Sequence, residues 1–217
     1  MESSTPEKQI PRGEEMVKQN SPHSQNLEEM LKAYPKEVIL TDGTGVTLRP
    51  LGAGDEAALS AMFQRFPPQE LWFLNHDVRD DRVIRSWVRH SNLHRVISIA
   101  AALEGRIVAN AVLLRTSRGA RRHMGEVRVF VDPAFRGKRL ATWMLLDLIN
   151  LGISMGLQML VMGLIQDSDA PIINSVRKLG FSEAAVLEGH LLDQQNKCHN
   201  LVIMRKGLAL HWPSETA

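Results

Sequence analysis

Apolar and polar positions alternate with two different periods along the chain. Val127, Val129 and Val131 alternate with Glu126, Arg128 and Phe130, the period of two of a β-strand. Asp132-Pro133 ends that strand, because proline cannot donate to a ladder. Leu140, Met144, Leu148, Leu151 and Met155 then recur at steps of three and four, with Asp147, Asn150 and Ser154 on the opposite side. This spacing predicts an amphipathic helix to about Met155 with one buried stripe. Upstream, Val38-Ile39-Leu40 and Val46-Thr47-Leu48 flank Asp42-Gly43-Thr44-Gly45, a hairpin signal. Asp55 is placed to cap a helix over Ala57 to Phe63, and further helices are expected from about Pro68 to Phe73 and Asp80 to His90. Arg95 to Leu103 and Arg106 to Leu114 read as strands around Glu104-Gly105. Downstream come a buried strand (Met159 to Ile165), a helix (Ala170 to Leu179) with Pro171 in its first turn and Gly180 closing it, and a last strand pair, Val186 to Leu192 and Leu201 to Arg205. The expected fold is a mixed α/β (α+β) domain with a central, mostly antiparallel sheet flanked by helices.

Composition adds boundaries to that picture. Residues 1–34 are rich in Ser, Pro, Gln and Asn and offer little to bury, so they read as a flexible or loosely docked arm. The globular domain is expected over residues 35–210, with a short tail at 211–217. The 217 residues are 44% hydrophobic, enough for a sizeable core. A net charge of +2, from 26 basic and 24 acidic side chains, is too even to argue for a nucleic-acid partner. Cys198 is the only cysteine, which excludes an intrachain disulfide and a cysteine-based metal cluster and suits a reducing cytoplasm. No uncharged run approaches the ~20 apolar residues of a membrane span, and no metal, nucleic-acid or membrane partner is expected.

The candidate chemistry lies between the strand and the long helix. Arg136, Gly137, Lys138 and Arg139 run directly into the helix start at Leu140 and Ala141. The unpaired N–H groups of a first helical turn carry about half a positive charge, and a glycine lets the backbone approach an anion closely. Cationic side chains beside them add charge-assisted hydrogen bonds to phosphate. The arrangement points to a diphosphate-bearing cofactor, with coenzyme A as the candidate. A plain solvated basic turn is the competing reading of the loop alone.

These residues resemble the Gcn5-related N-acetyltransferases, over nearly all of Val38 to Lys206. The acetyl-CoA signature of that family, Gln/Arg-x-x-Gly-x-Gly/Ala, is matched by Arg136-Gly137-Lys138-Arg139-Leu140-Ala141, with Arg139 where the pattern carries a loop glycine. Val129-Phe130-Val131 matches the strand end that pairs with the pantetheine arm. Leu179-Gly180-Phe181 matches the usual close of the next helix, and Leu187-Glu188-Gly189-His190 and Leu201-Val202-Ile203-Met204 look like the last two strands. Asp42-Gly43-Thr44 with Val46-Thr47-Leu48-Arg49-Pro50 is similar to the acetyltransferase domain of bacterial protein-lysine acetyltransferases.

The resemblance implies splayed central strands, acetyl-CoA as cosubstrate, and direct attack by an amine of a protein lysine or a small molecule within a ternary complex. It implies Glu126 as general base and Val129, Phe130, Val131, Arg136, Gly137, Lys138, Arg139, Leu140, Ala141 and Asp169 as cofactor contacts, Asp169 standing where the family often has asparagine. Val176 stands where the family often has a tyrosine that protonates the thiolate. His123 and Ser175 are lesser candidates, and Glu126 has an alternative as a surface ion pair with Arg128. Leu71 to Asp77 is a candidate acceptor wall or simply helix core. His94 and the loop from Arg115 to Arg122 stay ambiguous, and Cys198 and His199 read as structural. A non-catalytic acyl-CoA sensor or scaffold and a homodimer both remain open.

Overall fold

The structure is a computed structural model that describes residues 29–74, 76–89, 95–116 and 118–208. His94, the first 28 residues and the tail from residue 209 lie outside the described residues. Eight strands form one sheet: β1 (Lys36–Ile39), β2 (Gly45–Pro50), β3 (Val96–Leu103), β4 (Arg106–Arg115), β5 (Met124–Val131), β6 (Met159–Ile165), β7 (Ser182–Leu192) and β8 (Cys198–Gly207). Their order across the sheet is β1-β2-β3-β4-β5-β6-β8-β7. Every neighbouring pair is antiparallel except β5 with β6. The helices are α1 (Glu56–Phe63), α2 (Pro68–Trp72), α3 (Asp81–Arg89), α4 (Leu140–Ser154) and α5 (Ala170–Lys178), with a 3-10 turn at Pro133–Phe135.

The period-two pattern sorts side chains between two cores. Ile99 and Ala101 of β3, with Val127, Val129 and Val131 of β5, join Leu140, Met144 and Leu148 of α4 and Ile173 and Val176 of α5 on one face. Ala100 and Phe130, one residue out of step, join Leu59, Met62 and Phe63 of α1 and Ile84 and Val88 of α3 on the other. A one-residue slip of β5 would exchange Val129 with Phe130 between these cores, so the register is firmly set. Full burial of Leu140, Met144, Leu145, Leu148 and Leu151 on α4 contributes about 1.5–3 kcal/mol apiece, while Leu146 stays exposed.

Three local expectations are corrected. Asp147 does not face solvent: it is buried, and its carboxylate accepts hydrogen bonds from the Tyr34 hydroxyl and from Lys36 Nζ. Burial and that carboxylate push the Tyr34 phenol above its usual range. Residues 29–34, assigned to the arm by composition, therefore lie on the domain, with Met30, Leu31 and Tyr34 packed against the α4 core. Asp55 sits at the N-cap position of α1 without capping it. Its carboxylate is taken by Arg49 in two bonds of 2.6 and 2.7 Å and by the Gly52 N–H at 2.7 Å.

Candidate active site

The sheet opens at its one parallel pair. β5 and β6 are in register only from Met124, Gly125 and Glu126 to Met159, Leu160 and Val161. Beyond that point β5 stays with β4 as far as Val131, opposite Ala109, while β6 stays with β8 as far as Ile165, opposite Leu201. The Gln158 N–H donates to the His123 carbonyl at 2.8 Å, and the Asp132 N–H donates to Val108 of β4 at 2.9 Å. Backbone groups alternate sides along a ladder, so the odd-numbered residues of β5 face β6. After Glu126 the backbones of Val127, Val129 and Val131 face a gap. Such an edge can pair with an extended ligand bearing amides of its own.

At the open end of that gap the chain turns into α4. Gly137 has φ +75° and Arg139 φ +65°. Arg139 thus adopts the left-handed turn that the family pattern assigns to glycine, at a cost of about 1–2 kcal/mol for a residue with a Cβ. It also occupies the N-cap position and makes no side-chain cap. The Trp143 N–H reaches back to the Arg139 carbonyl at 3.2 Å. The N–H groups of Leu140, Ala141 and Thr142 precede this bond and have no helical partner, which leaves them for an anion. An uncapped helix start with a strained residue at the cap suits a pyrophosphate.

The loop cations are less available than their sequence suggests. Arg136 is bound bidentately by Glu70 of α2, at 2.8 and 2.6 Å, and its Nε donates to the Val131 carbonyl at 3.2 Å. Lys138 pairs with Asp42 of the β1–β2 turn at 2.9 Å and holds that carboxyl down at about 2. Among the described residues Arg139 is the loop cation without an ion pair, and it is exposed. The unpaired amides and Arg139 are therefore the groups of this turn open to an anion, while Arg136 and Lys138 stand behind carboxylates.

Glu126 is the last β5 residue in register with β6, and its even position places it on the sheet face opposite α4. One carboxylate oxygen, Oε1, is held by Arg128 Nη2 at 2.6 Å and Nε at 2.7 Å. Oε2 has no hydrogen-bond partner among the described residues and is free to take a proton. Asp169 begins α5 and accepts a hydrogen bond from the Ile165 N–H at 2.7 Å. Burial raises its carboxyl above the ordinary range, and the Glu70 charge adds to that effect. Val176 is buried in the core, and Ser175 Oγ donates to the Pro171 carbonyl at 2.8 Å. His123 lines a separate pocket of about 490 Å³ with Arg115, Arg122 and Gln158, where β5 and β6 are still joined.

A second pocket, of about 410 Å³, lies past the end of β6. Trp72 and Phe73 wall one side, Asp167 and Ser168 follow β6, and Asp193, Lys197 and His199 come from the β7–β8 hairpin. The short helix α2 links this pocket to the phosphate loop. Its Glu70 holds Arg136, and its Trp72 donates Nε1–H to the Leu192 carbonyl at 2.8 Å.

The protein-family model of the Acetyltransferase (GNAT) family matches residues 59–181, more than half of the chain. The chain belongs to the GNAT acetyltransferase family. It is an N-acetyltransferase, an enzyme that transfers an acyl group to an amine. No curated protein matches it significantly. Solved GNAT structures share its fold. The GNAT domain of S. lividans PAT is 16% identical with a TM-score of 0.65, the match covering 79% of this chain and 96% of that one. The yncA protein of Salmonella typhimurium, solved with its cofactor acetyl-CoA, is 21% identical with a TM-score of 0.66, covering 79% and 99%. The ribosomal-protein-alanine N-acetyltransferase of Brucella melitensis is 22% identical with a TM-score of 0.64, covering 74% and 98%.

Within this GNAT domain, Glu126, Val129, Val131 and the turn from Arg136 to Ala141 lie along one opening. Asp169 is close enough for its charge to act on Arg136. Phe130 is set apart, since its side chain packs edge-on against Phe63, with ring centroids 5.3 Å apart. Of the stretch Leu71 to Asp77, Trp72 and Phe73 line the second pocket, while Leu71 is buried in the α1–α3 core. Asn75, within that stretch, lies outside the described residues. Sequence reasoning did not single out Asp167 or Asp193. Asp193 meets His199 within the β7–β8 hairpin, and Asp167 joins them only across the β6–β8 register. No helix among the described residues is long and apolar enough to cross a membrane.

Proposed function

We propose that the chain transfers acetyl from acetyl-CoA to an amine by direct attack, with Glu126 taking the proton. The observation that carries this reading is the end of β5–β6 pairing at Glu126, beside an uncapped helix start. Leu140, Ala141 and Arg139 would hold the pyrophosphate, and the backbones of Val129 and Val131 would hold the pantetheine amides. Bound there, the thioester supplies an activated acyl carbon. A Val127 or Val129 N–H facing the gap is a donor for the oxygen that gains charge as the amine attacks. Glu126 Oε2, directly or through a water, accepts the proton of the attacking nitrogen, a contribution of about 10²–10⁴ in rate. With Val176 in the core, the departing thiolate takes its proton from water.

The test is turnover of acetyl-CoA with a panel of amines and peptides, read by free-thiol release, alongside calorimetry with coenzyme A. Micromolar binding together with acceptor-dependent thiol release supports the reading. Binding without acetyl transfer to any acceptor, or no binding by the folded chain, defeats it.

A further inference from the structure

The pocket past β6 carries a statement about the acceptor, resting on the acetyl-transfer reading above. The Trp72 Nε1–H is already spent on the Leu192 carbonyl, which fixes an indole that is 51% exposed. Phe73 is held edge-on against His199, with ring centroids 5.5 Å apart. Asp193 is fully engaged by the Gln195 and Lys197 N–H groups at 2.9 Å and by His199 Nε2 at 3.1 Å. That bond to His199 holds the Asp193 carboxyl below its ordinary range. Asp167 differs: its side chain is 76% exposed, it has no Lys or Arg ion pair among the described residues, and His199 Nδ1 stands 4.0 Å away, beyond hydrogen-bond reach. An aromatic wall facing an unspent carboxylate is a seat for a cation.

The strand register gives the distance from this seat to the proton acceptor. Glu126 is level with Val161, and Val161 with Arg205. His199 lies six residues further along β8, about 20 Å at 3.3 Å per residue. His199, Leu201 and Ile203 share the parity opposite to Val202 and Met204, which are buried under α4 and α5. His199 is therefore on the same sheet face as Glu126. A small amine cannot touch both places. An extended peptide covers the interval in about six residues.

We propose that the acceptor is a polypeptide segment whose basic side chain, about five or six residues from the acetylated amine, binds between Trp72 and Asp167. The full chain is assayed with acetyl-CoA and octapeptides bearing one reactive amine, either a free N-terminal alanine or a single lysine between blocked termini. Arginine, alanine or glutamate is placed at each remaining position in turn, and spermine serves as the small-amine control. Arginine five or six residues away is expected to raise kcat/KM about tenfold over alanine, through KM, and glutamate to lower it. Asp167→Asn and, separately, Trp72→Leu should erase that preference while coenzyme A affinity by calorimetry stays unchanged. A flat positional profile, a preference that survives both substitutions, or spermine outpacing every peptide overturns the proposal and leaves acetyl transfer standing. Thiol release with none of these acceptors, despite coenzyme A binding, overturns both.

Discussion

The two flanks of the opening between β5 and β6, the turn that follows β5 and the pocket past the end of β6, are built in different ways. The flank after β5 is made of consecutive residues, Val129 to Ala141, and offers mainly backbone: an unpaired strand edge, two left-handed residues and an uncapped helix. The far pocket is made of side chains from three separated segments, α2, the β6–α5 loop and the β7–β8 hairpin. Backbone amides recognise what every acyl-CoA shares. Side chains from separate loops can vary independently, which suits that pocket to the acceptor role proposed for it. Glu126 sits where the two constructions meet, on the last paired row of β5 and β6.

Substitution at that meeting point has the largest expected effect. Glu126→Gln should lower kcat by about 10²-fold or more while leaving coenzyme A affinity within about twofold. An active Glu126→Gln enzyme would remove the proton-acceptor role and leave alignment alone as the catalytic device. Next, Arg139→Glu puts a carboxylate at the anion seat and should weaken coenzyme A binding by about 30-fold, measured by calorimetry. Arg139→Gly should instead bind within about threefold of wild type and unfold at a higher temperature, because the left-handed strain is relieved. If both variants bind equally well, the flank after β5 is not where the cofactor rests.

A smaller effect tests whether the two flanks communicate through α2. Glu70→Gln releases Arg136 to phosphate and should tighten coenzyme A binding about threefold in low salt, fading as salt rises. Unchanged affinity would show that the exposed Arg136–Glu70 pair is energetically idle.

The smallest effect concerns Asp169. Its folded-state carboxyl is raised above 3.8, chiefly by burial, so folding disfavours the ionised form. The cost is present at neutral pH, shrinks as the pH falls through the raised folded-state value, and is gone below 3.8, where the group is protonated in both states. Asp169→Asn can keep the Ile165 hydrogen bond and should raise the unfolding midpoint by about 1–2 °C at pH 7, with the gain fading toward pH 4. A gain that persists at low pH would point to packing rather than charge.

Legibility in the sequence followed the range of the interactions. The β5 alternation, the α4 stripe and the loop from Arg136 to Ala141 are short-range patterns, and each lies where its periodicity puts it. The errors involved partners distant in the chain. Asp147 looks like a solvent residue by helical phase, but Tyr34 and Lys36 cover it from over a hundred positions away. Arg136 reads from its loop as an unpaired cation, but Glu70, 66 residues earlier, holds it. His199 looks structural in a strand-end turn, and only the β6–β8 pairing brings Asp167 beside it.

By itself the sequence determined the elements, the turn that leads into α4 and the strand that carries the candidate carboxylate, Glu126. Periodicity and helix-start chemistry act over a few residues, so they are written locally. Tertiary structure alone decided where β5 leaves β6, which loop cations are free and what stands around the far pocket. Those depend on strand register and on charges meeting across the fold, and no stretch of neighbouring residues encodes them.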